Sequence, residues 1–288
     1  MKLKPAQQRG RPAIDKNKIE MLVVVNDPQF LRNCDEEAFG AFYKFVVYYK
    51  DWITHFLANG DITDYEQQSR FSKSPDALGQ ALDEIVATKW FFTEFARLLP
   101  RAEKIMVNGN HDEPRWENMI KDQTLGIEHW IKTPAEMFRF KELGWKEIPY
   151  GKGNYYRWHD RAFWHGSRAG KAMDVAKAEL NDARGLSVTT AHINRNMYHE
   201  EREITGNLLS AYVHGGFSKD NLSYTKTANT NWSQGFGVYY WNYYTGEQVY
   251  LIVMKHGNPR FIWNGKIFDG TGFSIRKEME KHAKLYRG

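Results

Sequence analysis

IMVNGNHDEPRW, residues 105–116, begins as an apolar, β-branched run and ends abruptly in Gly109-Asn110-His111-Asp112. Three successive residues then carry an amide, an imidazole and a carboxylate. Such a cluster makes a poor core and a good site at the carboxyl end of a strand. On its own it also fits a capped turn, in which Asn and Asp bond local backbone groups. The rest of the chain decides between the two.

Four other apolar runs end in the same way. EMLVVVN (20–26) leads into Asp27 and Gln29, and WITHFLANGD (52–61) into Asp61 and Asp64. RAFW (161–164) leads into His165 and Arg168, and LSVTT (186–190) into His192, Asn194 and Arg195. In open α/β sheets, sites form outside the carboxyl ends of the strands. Five runs that each deliver metal-ligating side chains to one edge are hard to obtain from core-building alone.

Between these runs lie helical patterns. DEEAFGAFYKFVVYYK (35–50) has apolar residues at helical spacing and an acidic start, and a second helix is expected over about 75–98. RWENMI, GIEHWIKTPAEMF and GKAMDVAKAEL read as further helices, and NYYRWH with RAFWHG as a hairpin. The first half therefore alternates strand and helix as βαβ units do. The stretch 232–268 alternates instead, is rich in Tyr, Trp and Val, and has turn signals at Thr245-Gly246 and Gly257-Asn258. It is expected to form consecutive antiparallel strands. Ile275, Met279 and Tyr286 fall at helical spacing in the tail. The expected organisation is a flexible basic arm over 1–18, one domain over 19–270, and a basic C-terminal helix over 271–288.

Taken in order, these motifs resemble the calcineurin-like metallophosphoesterases, in particular the compact phage and bacterial members related to nucleases and phosphatases. The matching residues are Asp27-Pro28-Gln29, Gly60-Asp61-Ile62-Thr63-Asp64, Gly109-Asn110-His111-Asp112, His165 and Ala191-His192-Ile193-Asn194. The likeness runs from about residue 20 to 195. It implies an α/β fold in which a double β-sandwich is flanked by helices, with two divalent metal ions about 3–4 Å apart. By position, Asp61 is expected to bridge the metals. Asp27, Gln29 and Asn194 would complete one site, and Asn110, His165 and His192 the other. His111 would be the general acid or phosphate-contacting group, and Asp64 would orient it.

Two positions depart from the family pattern. Gln29 and Asn194 stand where the family has histidine, and both fall on the same metal. That metal has an all-oxygen ligand set, whereas its neighbour keeps two imidazoles. Oxygen ligands suit Mg or Mn; imidazoles suit Mn, Fe or Zn. The expectation is an asymmetric pair with Mn preferred, the alternative being a decayed first site and a protein that binds without catalysis. The resemblance further implies hydrolysis by metal-activated hydroxide. Arg115, Arg168 and Arg195 are candidate phosphate clamps, since a guanidinium fork matches phosphate oxygens, with Arg168 first because it closely follows His165. His199, His214 and His256 are left unassigned.

The metal set does not choose between monoester and diester. The formal charge of +5 favours a polyanionic partner. Arg9-Gly10-Arg11-Pro12, followed by Lys16, matches the core of an AT-hook, and a narrow A·T minor groove attracts inserted Arg. A solvated basic arm is the alternative. NWSQGFGVYYWNYY offers aromatics that would stack bases, although alternating Tyr and Trp are also good sheet formers. The expected function is a phosphodiesterase or nuclease acting on nucleic acid. The alternatives are a phosphomonoesterase acting on nucleotides or phosphoproteins, and a DNA-binding accessory protein with a weakened metal site. Cys34 is the sole cysteine, which excludes an internal disulfide and a Cys-based zinc site. No apolar run is long enough to cross a bilayer and the N-terminus has no apolar secretion signal, so a cytoplasmic protein, in a host cell if phage-encoded, is expected.

Overall fold

A computed structural model describes residues 17–31, 33–69, 81–121, 133–219 and 232–281. Arg9, Arg11, Lys16, residues 75–80 of the expected second helix and most of the segment 126–138 lie outside the described residues.

The first strand, β1 (Glu20–Val25), shows how the layers arise. Met21, Val23 and Val25 face one side and Leu22 and Val24 the other, and all five are buried. A strand buried on both faces reads as a continuous apolar run, because its period-2 alternation finds a core on each side. β1 pairs in parallel with β2 (His55–Asn59), β2 with β3 (Glu103–Val107), and β3 with β4 (Trp145–Ile148). The connections are α1 (Glu36–Tyr49), capped by the Asp35 carboxylate on the Ala38 N–H, and α2 (Ala81–Leu98). After β3 come α3 (Glu113–Lys121), α4 (Pro134–Met137) and α5 (Phe140–Leu143). The fifth strand of the chain order begins a second sheet. Here β5 (Tyr156–Trp158) and β6 (Arg161–Phe163) form the expected hairpin. The sheet adds β7 (Ser187–Thr190), β8 (Met197–Arg202) and β9 (Leu208–Val213), in the order β5-β6-β7-β9-β8. The segment α6 (Ala172–Asp182) joins β6 to β7.

The last third forms consecutive antiparallel strands as expected, divided into two hairpins. β10 (Gln234–Asn242) and β11 (Gly246–Met254) form a hairpin that completes the first sheet against β1, giving the order β11-β10-β1-β2-β3-β4. β12 (Arg260–Trp263) and β13 (Lys266–Asp269) form a separate two-stranded ribbon. Its Phe261, Trp263 and Phe268 pack onto the core under α1, where the ribbon serves as cover for the helices. The seventh helix, α7 (Ile275–Lys281), buries Ile275 in that core and rests Met279 against it.

Three cores follow from this order. One joins α1, α2 and the ribbon to the outer face of the first sheet. A second joins Leu22, Val24, Leu57, Ile105, Val107 and Tyr239 of the first sheet to Trp158 and Phe163 of the second. A third joins the far face of the second sheet to α6. The result is helices, sheet, sheet, helix: a double β-sandwich flanked by helices. Among the described residues, no helix is long and apolar enough to cross a membrane.

Candidate metal centre

The carboxyl ends of β1, β2 and β3 from one sheet, and of β6 and β7 from the other, meet at one edge of the sandwich. The loops that leave β1 and β2 are laced together. The Asp27 N–H donates to the Gly60 carbonyl and the Gln29 N–H to the Asp61 carbonyl, each at 3.1 Å. Five of the ligand-position residues adopt left-handed backbone: Asp27 (φ 44°), Gln29 (φ 45°), Asp61 (φ 50°), His192 (φ 69°) and Asn194 (φ 51°). Each such non-glycine residue costs on the order of 1–3 kcal/mol, and strain of this kind gathers where a side chain must be aimed.

Asp61, His165 and His192 present ligand atoms that all lie within 4.8 Å of one another. Asp61 Oδ2 is 3.2 Å from His165 Nε2, and Asp61 Oδ1 accepts the His111 N–H at 2.9 Å. The Asn59 carbonyl accepts from His165 Nδ1 at 2.9 Å, which fixes the proton there and turns Nε2 toward the carboxylates. Two glycines make this approach possible. A Cβ on Gly60 (φ +87°) would lie 2.2 Å from His165 Nδ1, and one on Gly109 would lie 2.1 Å from Asp61 Oδ1.

Asp27 and Asn194 lie alongside. Asp27 is fully buried, and its Oδ2 accepts the His192 N–H at 3.2 Å, while its Oδ1 is 4.0 Å from His165 Nε2. The Gln29 Oε1 accepts the Ser218 hydroxyl at 3.2 Å, and the same hydroxyl lies 3.4 Å from the Asp27 carbonyl. The His111 ring places Nδ1 3.0 Å from Asp64 Oδ1 and Nε2 3.7 Å from Asp61 Oδ2. Asp64 is itself held by Arg115, whose Nη1 donates to Oδ1 at 3.0 Å and also to the Asp64 carbonyl, and by the Asn33 amide. Asp112 works on the backbone, accepting the Thr63 N–H, the Thr63 hydroxyl and the Gly109 N–H at 2.9–3.0 Å, and so ties the β2 loop to the β3 loop.

Buried polar atoms usually find partners, and leaving one unpaired costs roughly 1–3 kcal/mol. Here Asp27 Oδ1, Asn110 Oδ1, His165 Nε2, His192 Nδ1 and Asn194 Oδ1 are buried with no hydrogen-bond partner. His165 Nε2 is close to Asp61 but off the hydrogen-bond direction. All five atoms can donate a lone pair to a cation, and together with Asp61 they form a set of carboxylate, imidazole and amide ligands. That chemistry fits divalent ions with mixed oxygen and nitrogen coordination.

Protonation shows the same need for positive charge. Burial, reinforced by the Asp61 and Asp112 charges, pushes the Asp27 carboxyl up to about 8 against the pull of His165. His165 rises to about 10 because Asp61 and Asp27 outweigh the opposing effect of its burial. Asp61 resists its own burial and falls below the ordinary carboxylate range, held down by His111 and His165. Burial and the neighbouring His165 push His192 down to about 4. A proton on His165 thus takes the place of a cation between two carboxylates.

The remaining expected residues fall outside this centre. Arg168 is drawn toward α6, with Nη2 2.6 Å from Asp182 Oδ2 and Nε 3.7 Å from Glu179 Oε1. Arg115 is committed to Asp64, and Arg195 Nη1 donates to the Gly170 carbonyl at 3.4 Å. His214 is buried against Tyr239, with 2.8 Å between Nε2 and the phenol oxygen, and burial lowers its pKa to about 3. His199 pairs with Glu201 and His256 bonds the Trp232 carbonyl. Sequence reading missed Ser218, Asn33 and the Asn59 carbonyl. No motif marks them, because each acts through an atom that almost any loop offers.

No protein-family model matches the sequence, and no curated protein matches it. Among solved structures, the chain is similar in outline to a Vps29 single mutant from Entamoeba histolytica, with a TM-score of 0.36 and 9% identity over 82% of this chain and 99% of that one. It is also similar to the nuclease MPE from Pseudomonas putida, with a TM-score of 0.35 and 9% identity over 76% of this chain and 83% of that one. Likeness at that level transfers neither an activity nor a substrate to this chain.

Proposed function

We propose that the chain is a metal-dependent phosphoesterase and, within that class, a phosphodiesterase acting on nucleic acid. One observation carries the reading: Asp61, His165 and His192 bring ligand atoms within 4.8 Å of one another at the meeting edge of the two sheets, where His165 Nε2, His192 Nδ1 and the nearby Asp27 Oδ1 are buried without hydrogen-bond partners. Asp61, His165, His192 and Asn110 would hold one cation, and Asp27 and Asn194, sharing Asp61, a second, with Mn preferred. When bound, such ions supply Lewis acidity toward phosphoryl oxygens and a nucleophile at neutral pH.

The chain's own groups supply the rest. Asp64 Oδ1 lies 3.0 Å from His111 Nδ1, which leaves Nε2 on the side of Asp61, where a leaving oxygen can take its proton. Proton transfer of this kind is typically worth about 10²–10⁴ in rate. Arg115 and Asn33 hold Asp64 in place, so the ring is positioned at one remove. The engagement of Gln29 by Ser218 favours a competing reading, a nucleic-acid-binding accessory protein with one weak metal site. One panel separates the readings: purified protein with Mn, Mg or Zn against plasmid DNA, single-stranded DNA, bis(p-nitrophenyl) phosphate and p-nitrophenyl phosphate. Diester turnover is expected with Mn. Monoester turnover alone would sink the diesterase reading, and salt-sensitive DNA binding without any turnover would favour the accessory protein.

A further inference from the structure

A cavity of about 960 Å³ opens beside the candidate metal centre, between the loop that joins β4 to β5, the segment that follows β6 and the end of α6, and His165 lines both. Its volume lies at the upper end of the range for small-molecule sites. The cavity is not needed to hold metal ions, and its lining differs in kind from theirs.

Three aromatic side chains stand around it. Tyr155 is 43% exposed, its ring 6.4 Å from that of Trp164 at 64°. Tyr150 lies 6.5 Å from the His165 ring, next to the metal ligands. Trp164 is held in place by its indole N–H, which donates to Glu179 at 2.7 Å. Four cations share the lining. Two are neutralised nearby, Arg168 by Asp182 and Arg157 by Asp160. Lys152 and Arg184, both exposed, have no ion-pair partner among the described residues. The lining also contains one buried acceptor. Asn108 is 1% exposed, and its amide nitrogen donates to Glu113 at 3.1 Å and Glu147 at 2.8 Å. Two carboxylates fix the amide that way round, so Oδ1 is the atom left without a partner.

We infer that this cavity seats a nucleobase and an adjoining phosphate of a single-stranded nucleic acid whose scissile ester lies at the metal centre. The aromatic and the cationic parts of the lining each have a counterpart. A base has flat faces for Tyr155 and Trp164. The chain beyond it brings a phosphate for Lys152 and Arg184. Stacking on aromatic side chains is the sequence-tolerant way to hold a single strand. A phosphoserine on a protein surface would offer neither a flat face nor a neighbouring phosphate. The inference rests on the phosphoesterase reading for the identity of the reacting bond, but binding can be measured without it.

The test uses the full chain stripped of metal with EDTA, with fluorescence anisotropy as the readout. The probes are labelled octathymidylate and an abasic phosphodiester of the same length. Octathymidylate is expected to bind at least about fivefold more tightly, which corresponds to one stacked base. Tyr155→Ala, at an exposed position, should remove most of that preference. Lys152→Ala combined with Arg184→Ala should weaken both probes alike and flatten the salt dependence. Equal binding of the two probes, a preference that survives Tyr155→Ala, or no binding of either probe would each overturn the inference. Turnover of bis(p-nitrophenyl) phosphate by the Mn-loaded wild type is read separately. Turnover without base preference sinks the cavity and spares the phosphoesterase; base preference without turnover does the reverse.

Discussion

The two halves of the candidate metal centre are built by the same strand ends but finished differently. In the imidazole half, Asp61, His165 and His192 converge within 4.8 Å, and the Asn59 carbonyl fixes the His165 tautomer. In the amide half, Asp27 and Asn194 keep unpartnered oxygens, whereas one lone pair of the Gln29 oxygen accepts the Ser218 hydroxyl. An imidazole has one lone pair to aim, and a single hydrogen bond to its other nitrogen aims it. An amide carries donor and acceptor on one rigid group, so a neighbouring hydroxyl can hold it away from a cation. The amides at Gln29 and Asn194 thus make this half dependent on what surrounds it.

The strongest way to break the comparison is to remove the residue the halves share. Asp61→Ala is expected to lower Mn affinity by about 100-fold or more and to abolish turnover, because both halves lose their common carboxylate. Isothermal titration with Mn measures it, and retained affinity would show that the halves do not meet at Asp61.

A pH series tests the halves next. Without metal, His165 rises to about 10 and Asp27 to about 8, so both hold protons at neutral pH. A cation that displaces the His165 proton alone should gain affinity by up to roughly tenfold per pH unit between pH 6 and 8, and one that displaces both protons by up to roughly 100-fold per unit below pH 8. Titrations in buffers of different ionisation enthalpy count the protons released. A pH-independent affinity over that range would mean that neither group is displaced.

The smallest expected effect concerns the amide half alone. Replacing Gln29 and Asn194 together by His should reduce the Mn needed for half-maximal turnover several-fold while leaving turnover at saturating Mn within about threefold. The metal dependence of diester hydrolysis reads it out. If Ser218 dictates the rotamer at position 29, the gain should appear only when Ser218→Ala is added, which would locate the weakness in the surroundings and not in the ligand.

Much of this was legible in the sequence. Gly60-Asp61 and Gly109-Asn110-His111-Asp112 break their strands so sharply that the ends of β2 and β3 can be placed within a residue or two. His165 and His192 follow short apolar runs in the same manner. The β8 strand was not legible, because MYHEER is an edge strand with alternate residues exposed and charged, and its burial signal is correspondingly weak. Nor was the split of the last third into a sheet-completing hairpin and a separate ribbon, since both alternate equally well. The Gln29 contact was beyond reach for another reason: Ser218 is 189 residues away, and nothing local records that the folded chain brings them together. Arg168 looked well placed because it follows His165 by three residues, yet Asp182 draws it toward the end of α6. Proximity in sequence gave the position of its backbone and not the direction of its side chain.

Asp61 belongs to the six-stranded sheet and His165 and His192 to the five-stranded one, so a cation between them would be a clasp across the sandwich. Neither sheet carries the full ligand set by itself, and that set comes into being only when the two have docked. A clasp that recognises the docked state alone adds stability in proportion to its occupancy, about 2.7 kcal/mol at 100 times its dissociation constant. The ion would thereby raise the melting temperature of the whole protein as well as serve its chemistry, and a cell poor in that metal would hold a looser molecule as well as an idle one.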